Sequence, residues 1–116
     1  MDLYHVWCDL KPGVKDTDFA ANIALFLGRL RNQGKIAGYR LSRRKLGLAP
    51  PSLGDFHIMI ETEDLAQLDA AFNHVATRAG EVEHQHFAVN SMAQNLRFAL
   101  YRDFPDAVRK TGEEKF

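Results

Sequence analysis

The side chains of this sequence best suited to acid–base chemistry or ligand stacking are two histidines and a tryptophan. They lie in segments rich in residues that favour β-strands. His5 and Trp7 lie two residues apart in LYHVWCDL, and His57 lies within DFHIMIE. An imidazole titrates near neutrality, so His57 is the predicted general acid or base. An indole can stack on a planar ligand or fill an apolar interface. The more common roles, an interface histidine with a hydrogen bond and a packed tryptophan, stay open.

Arginine and tyrosine side chains in two further β-type segments could bind a substrate. Arg97 and Tyr101 could hold an anionic or phenolic molecule, because both side chains donate hydrogen bonds to oxygen. Arg97 could equally pair across a dimer with an acid such as Glu61 or Asp9. The predicted site has His57 as its catalytic residue and, as substrate-binding residues, His5, Trp7, Arg40, His86, Arg97 and Tyr101.

Metal ligation has no sequence signature in this chain. There are five histidines, but the sequence holds no HExxH and no CxxC motif. A site made of His57, His84 and His86 is the alternative, and it requires an extended segment, because only then do His84 and His86 share a side. We predict neither a metal nor a cofactor, since no histidine stands out as a haem ligand. Cys8 is the single cysteine, and we expect a buried, inert thiol.

Four predicted strands and two predicted helices would position these side chains. The strands are expected at 3–10, 36–45, 55–61 and 95–102, and the helices at about 17–33 and 63–79. Asp16 or Thr17 is the predicted cap of the first helix, and Thr62 that of the second. The order β-α-β-β-α-β predicts an α+β, ferredoxin-like domain whose two helices cover one face of an antiparallel sheet.

The alternation of side chains along a strand divides the predicted sheet into two faces. The face expected under the helices carries Val6, Cys8, Leu41, Phe56, Ile58, Ile60, Leu96, Phe98 and Leu100. The opposite face carries His5, Trp7, Arg40, His57, Met59, Arg97 and Tyr101. Trp, Tyr, Met and Arg are enriched at protein interfaces, so this face predicts a homodimer formed through the sheet. The same face could also enclose a small-molecule pocket.

Residues 81–94 (EVEHQHFAVNSMAQ) are ambiguous between a short helix and an ordered loop. The segment is long for a connection in this fold, where the median is about 4–6 residues. It contains His84 and His86, and it could cover the mouth of a pocket or widen a dimer contact.

Composition narrows the class of protein. Fifteen basic and fifteen acidic residues balance, which argues against nucleic acid and an acidic membrane surface as main partners. The segment DFHIMIE also lacks the pattern of an RNA-binding strand. No apolar run approaches the ~20 residues of a membrane span, and the N-terminus has no signal-peptide pattern. With one cysteine, a cytoplasmic location is expected. Residues 1–106 are predicted to form one domain, and 107–116 a polar tail.

The stretches YHVWCDLKPG, YRLSRRKLGL, FHIMIETEDLAQLDAAF and NLRFALYRDFPD resemble a family of small, uncharacterised bacterial proteins. That family is assigned to the dimeric α/β-barrel superfamily of ferredoxin-like folds, and the resemblance covers residues 3–106. It implies a dimer whose two sheets face each other. The superfamily includes cofactor-independent monooxygenases, isomerases and haem-degrading enzymes, but none of their catalytic motifs matches this sequence residue by residue. The resemblance therefore implies a fold and no specific reaction.

Two functional hypotheses follow from these observations. The first is a homodimeric enzyme of the cofactor-independent oxygenase or isomerase type, with one small-molecule site per subunit between the sheet and residues 81–94. The second is a non-enzymatic dimer that binds a metabolite or another protein.

Overall fold

The structure is a computed structural model, and it describes residues 1–112. Its elements, in chain order, are β1 (Asp2–Leu10), α1 (Asp16–Asn32), β2 (Gly38–Arg43), β3 (Phe56–Thr62), α2 (Leu65–Ala76), α3 (Gly80–Asn90) and β4 (Ala93–Arg102). Within that range, no helix combines the length and the apolar character needed to cross a membrane.

The four strands form one antiparallel sheet in the order β2-β3-β1-β4. Both central strands, β1 and β3, are therefore flanked on each side, whereas β2 and β4 are edges. This is the strand order of a ferredoxin-like fold, and the prediction of that fold is confirmed. Each predicted strand is present, with bounds that differ by one or two residues.

The residues at the N-cap positions of α1 and α2 differ from the predicted ones. Residue Lys15 precedes α1 without a side-chain capping bond, so neither Asp16 nor Thr17 caps this helix; Asp16 lies in its first turn. Asp64 caps α2, because its carboxylate accepts a hydrogen bond of 2.8 Å from the backbone N–H of Gln67. The predicted cap, Thr62, instead ends β3 and is fully buried.

The ambiguous segment 81–94 is mostly helical. Residues 80–90 form α3, which packs against α1 and also contacts α2. Val82 is its one fully buried residue, so α3 lies as a third, peripheral helix on the helical layer. The helical layer thus holds three helices, where the sequence predicted two.

The core lies between the sheet and the helices, as the strand alternation predicted. Cys8 of β1, Ile58 of β3 and the α1 residues Phe19, Ile23 and Leu27 are all buried. The register pairs Val6 with Ile58 and with Phe98, which places the predicted core residues of three strands on one face.

Two residues predicted for the core are in fact half-exposed. Phe98 is 58% exposed and Leu100 is 53% exposed, although both point to the helical side of β4. The reason is that the helical layer lies over the other strands and leaves the outer half of this edge strand uncovered.

Asp9 and Gly54 fix the connections at one end of the sheet. The Asp9 carboxylate accepts hydrogen bonds from the Asp55 backbone N–H (2.9 Å) and from the Asn95 side chain (3.1 Å). The register between β1 and β4 shifts between Trp7 and Asp9, and Asn95 has a φ of 57° beside this bulge. Gly54 lies against the backbone of Cys8, where a Cβ atom would come within 2.3 Å of the carbonyl group.

Candidate functional site

The sheet separates the predicted site residues into two groups. His5, Trp7 and His57 lie on the face of the sheet opposite α1, α2 and α3, which we call the open face, whereas His86 lies on the helical side. Arg40, Arg97 and Tyr101 belong to the open face by register. The structure therefore does not bring His86 together with the other six residues.

His5 and His57 form a hydrogen-bonded pair on the open face. Nδ1 of His5 lies 2.8 Å from Nε2 of His57. The ring planes differ by 6° and the ring centroids are 5.1 Å apart, so the two rings lie edge to edge in nearly one plane. In this arrangement one imidazole donates and the other accepts, which requires that at least one ring be unprotonated.

Trp7 and Tyr101 enclose the histidine pair. The Trp7 ring lies 4.9 Å from that of His57 and 5.5 Å from that of His5, at small interplanar angles. Tyr101 meets His5 edge-on at 5.2 Å. The pair is therefore half-buried among aromatic rings even though no helix covers it.

Burial lowers the pKa of both histidines below the usual value. For His57 the neighbouring His5 lowers the pKa further, because two adjacent positive charges repel each other. Both rings are thus biased toward the neutral form.

The arginines of the open face have no carboxylate partner among the residues that the structure describes. Among residues 1–112, neither Arg40 nor Arg97 belongs to an ion pair, and both are exposed. Arg97 donates to the backbone carbonyl oxygen of Leu96 at 3.1 Å. Glu61, on the same face, is likewise outside the ion pairs of the described chain.

A second candidate site is a cavity between the sheet and the helices. Its volume is about 250 Å³, and its lining is almost entirely apolar, with side chains such as Ile23, Ile58 and Leu96. His86 and Asn90 of α3 are polar residues of this lining. An apolar cavity with few polar groups is the usual form of a small-molecule site.

His86 contacts α1 and the connection between α2 and α3. Its ring lies 5.4 Å from that of Phe26 on α1. Its Nδ1 atom lies 3.4 Å from a guanidinium nitrogen of Arg78, which also pairs with Glu83 at 3.7 Å. Because a guanidinium can only donate, Nδ1 is the acceptor and the proton of the neutral ring is on Nε2.

The electrostatic surroundings favour neutral His86. Burial lowers its pKa most and the Arg78 charge lowers it further, while Glu83 acts in the opposite direction. Near neutral pH the ring is thus an uncharged donor through Nε2.

The other titratable groups at the cavity stay protonated at neutral pH. Burial, with a contribution from Asp9, raises the pKa of the Cys8 thiol to about 11, and burial raises the pKa of Tyr4 above its usual value. The prediction that Cys8 is a buried thiol is confirmed. Of these titratable lining residues, His86 is the one whose pKa is lowered rather than raised.

A three-histidine metal site from His57, His84 and His86 does not form. His57 lies on the opposite side of the sheet from α3, and His84 is exposed two residues before His86 on a helix. Across residues 1–112, no group of three potential ligand side chains is close enough to hold a metal ion.

Sequence reasoning missed the cavity and the parts played by Arg78 and Asn90. A usable signal was the spacing of His86 and Asn90, which are four residues apart and therefore share one face of a helix. That signal depends on treating residues 80–90 as helical, which the sequence left open.

Comparisons with known proteins give a family and a fold. A family model described as "Family of unknown function (DUF6614)" matches residues 1–116. No curated protein matches the chain.

Solved structures of the same fold share little sequence with the chain. A crystal structure of an Arabidopsis thaliana protein is 11% identical, with a TM-score of 0.69, and covers 93% of this chain and 100% of its own. A dimeric ferredoxin-like protein of unknown function from Thermobifida fusca is 16% identical, with a TM-score of 0.59. The match covers 87% of this chain and 90% of that protein. An antibiotic biosynthesis monooxygenase is 18% identical, with a TM-score of 0.61. The match covers 90% of this chain and 100% of that protein. At these identities the likeness concerns the fold alone.

Proposed function

The chain belongs to the Family of unknown function (DUF6614), and we propose that it is a homodimer that binds a small, mainly apolar molecule between its sheet and its helices. The ligand carries an oxygen atom that accepts a hydrogen bond from His86. The observation that supports this proposal is the cavity of about 250 Å³ with neutral His86 in its lining.

The cavity volume limits the size of the ligand. An apolar cavity of about 150 Å³ is enough for benzene, and pockets for larger ligands begin at about 300 Å³. A cavity of about 250 Å³ lies between these values, so it suits a molecule of one or two rings, or its aliphatic equivalent. A haem, with four pyrrole rings, does not fit this volume.

The polarity of the lining limits the chemistry of the ligand. Lining groups such as Ile23, Ile58 and Leu96 offer no hydrogen bond, so a strongly polar molecule would lose its hydration without replacement. His86 can donate one bond through Nε2, and a carbonyl oxygen is the simplest matching acceptor.

The dimer is proposed to form through the open face. The exposed Arg40 and Arg97 and the nearby Glu61 have complementary charges that a second copy can pair. Trp7 and His57 supply half-buried rings at the centre of the same face. Solved proteins of this fold described as dimeric add support at the level of the fold.

Catalysis by His57, and an oxygenase or isomerase reaction, stay predictions. The cavity supports a binding site on the helical side of the sheet, whereas the predicted pocket lay between the sheet and the partner. His86, a neutral imidazole in the cavity lining, is the side chain best placed to move a proton if a reaction takes place there.

An NMR titration of the isotope-labelled protein with acetophenone, a one-ring ketone, tests the proposal. We expect chemical-shift changes at cavity residues such as Ile23 and Leu96. His86→Ala should weaken binding by about two- to tenfold, the value of one hydrogen bond. Native mass spectrometry of protein purified from its own host should show a retained molecule of similar size.

His84→Ala is the matched control, because His84 lies exposed on the same helix. It should bind acetophenone as the unmodified protein does. Shift changes confined to the open face, or the absence of any change at millimolar ketone, would contradict the proposed site.

A further inference from the structure

The cavity is continuous with an exposed apolar surface at the edge of the sheet. Phe72 of α2 is 48% exposed and Phe98 of β4 is 58% exposed, yet both also line the cavity. A side chain that lines a cavity and is half-exposed marks its mouth. The cavity therefore opens between α2 and β4.

Tyr4 connects the interior of the cavity with this mouth. Its ring meets Phe72 edge-on at 5.2 Å and lies nearly parallel to Phe98 at 6.1 Å. Leu100, the partner of Tyr4 in the strand register, extends the same surface outward and is 53% exposed. The apolar surface thus runs from the interior along β4 as far as Leu100. We call it the β4 groove (Tyr4, Phe72, Phe98 and Leu100).

Other exposed apolar side chains differ from the β4 groove. Leu46, Leu48 and Phe87 are at least as exposed, but none of them lines the cavity. Scattered exposed residues need no explanation, whereas a contiguous patch joined to a cavity indicates a binding surface.

From this continuity we propose that the ligand is an amphipathic acyl compound. Its oxygen atom accepts a hydrogen bond from His86, and its aliphatic chain leaves the cavity between Phe72 and Phe98 and follows the β4 groove toward Leu100. The inference rests on the proposed function, since it names the ligand class of the same cavity.

An aliphatic chain explains the groove better than a second copy of the protein does. The open face already offers charged and aromatic groups to a second copy, and it lies on the opposite side of the sheet. Apart from the Tyr4 hydroxyl, the side chains of the β4 groove are apolar and carry no charge, which is what a hydrocarbon chain needs.

A series of 2-alkanones, from 2-butanone to 2-decanone, tests the inference by NMR titration. Each added methylene that is buried should tighten binding by up to about fourfold. Shift changes should spread from cavity residues to Phe98 and then to Leu100 as the chain lengthens. Phe98→Ser should remove this gain for long chains. Leu100→Ser, at a residue outside the cavity lining, should also remove it and leave the affinity for acetophenone unchanged.

Phe87→Ser is the control, because Phe87 is exposed outside the cavity and the groove. It should keep the full dependence on chain length. Leu100→Ser provides a second groove variant if Phe98→Ser lowers the melting temperature. It should remove the gain in affinity per added methylene for the longer 2-alkanones only.

The outcomes separate the two proposals. If acetophenone binds but all 2-alkanones bind with one common affinity, the proposal of an amphipathic ligand is overturned. The proposal of a cavity site then stands. A change of the oligomeric mass in Phe98→Ser would show that the groove is a contact between subunits and would also overturn the inference. Failure of every ketone to bind would overturn the proposed function itself.

Discussion

His5 and His57 share a hydrogen bond that exists only while at least one of them is neutral. Burial lowers the pKa of both groups in the folded chain, so the unfolded chain binds more protons as the pH falls below about 6.5. The stability that these histidines contribute is therefore fully present above that pH. It is lost as the pH falls through their lowered pKa values in the folded chain.

We predict that the free energy of unfolding decreases between pH 7 and pH 5. His5→Phe, which keeps an aromatic ring and cannot be protonated, should reduce this dependence. Urea unfolding at a series of pH values measures both effects. His84→Gln, at an exposed position, serves as the control and should unfold as the unmodified protein does at each pH. An unchanged pH dependence in His5→Phe would show that the pair does not contribute to it.

Single residues were predictable where strand alternation determines the side of the sheet that they face. His5, Trp7, His57 and Tyr101 were placed on one face from their spacing, and the structure puts their rings in contact. The His5–His57 hydrogen bond could not be predicted, because it depends on the register between β1 and β3, and the sequence does not specify that register.

At the level of elements, the connection between β2 and β3 depends on one close approach. Gly54 lies against the backbone of Cys8 at the end of β1, and no side-chain movement can make room for a methyl group there. Gly54→Ala should destabilise the fold by about 2–4 kcal/mol, in the range of a buried steric clash.

The same substitution at Gly28 provides a matched control. Gly28 lies within α1, and an added Cβ would be 3.8 Å from the Tyr39 hydroxyl, an ordinary contact. Gly28→Ala should therefore stabilise the protein by about 1 kcal/mol through helix propensity. Chemical unfolding should give opposite signs for the two variants, and a neutral Gly54→Ala would show that the loop can move away from β1.

The helix α3 shows why part of the candidate site could not be predicted. Apolar and polar residues are spread around its surface, so its sequence has no clear stripe of the kind that marks α1. Without that stripe, the sequence indicated neither that residues 80–90 are helical nor which side of the sheet they cover. His86 was consequently assigned to the same substrate site as the open-face residues, although it lines the cavity on the other side of the sheet.

At the scale of the whole molecule, the open face is the surface proposed to join two subunits. Trp7 is half-buried at its centre, and large aromatic residues at the centre of an interface often contribute about 2 kcal/mol or more to binding. Trp7→Ala should weaken dimerisation by about thirtyfold or more, while the monomer keeps its fold, because Trp7 lies away from the core.

Light scattering after size exclusion, over a range of concentrations, measures this change. Phe87→Ala, an exposed aromatic on the helical layer, should leave the dimer intact. A protein that is monomeric at micromolar concentration before any substitution would contradict the dimer. A Trp7→Ala chain that does not fold would contradict the assignment of Trp7 to the open face.

The bulge at Asn95 restricts how this sequence can change over evolution. Asn95 has a positive φ and donates a hydrogen bond to Asp9, which also holds the start of β3 through Asp55. Few residue types adopt that backbone conformation without strain. Position 95 therefore tolerates fewer substitutions than its exposed neighbours. The bulge also determines which β4 side chains face the cavity and which belong to the open face, because a shift of one residue exchanges the two sides. A single inserted or lost residue here would therefore exchange the helix-facing side and the open-face side of β4 in one step.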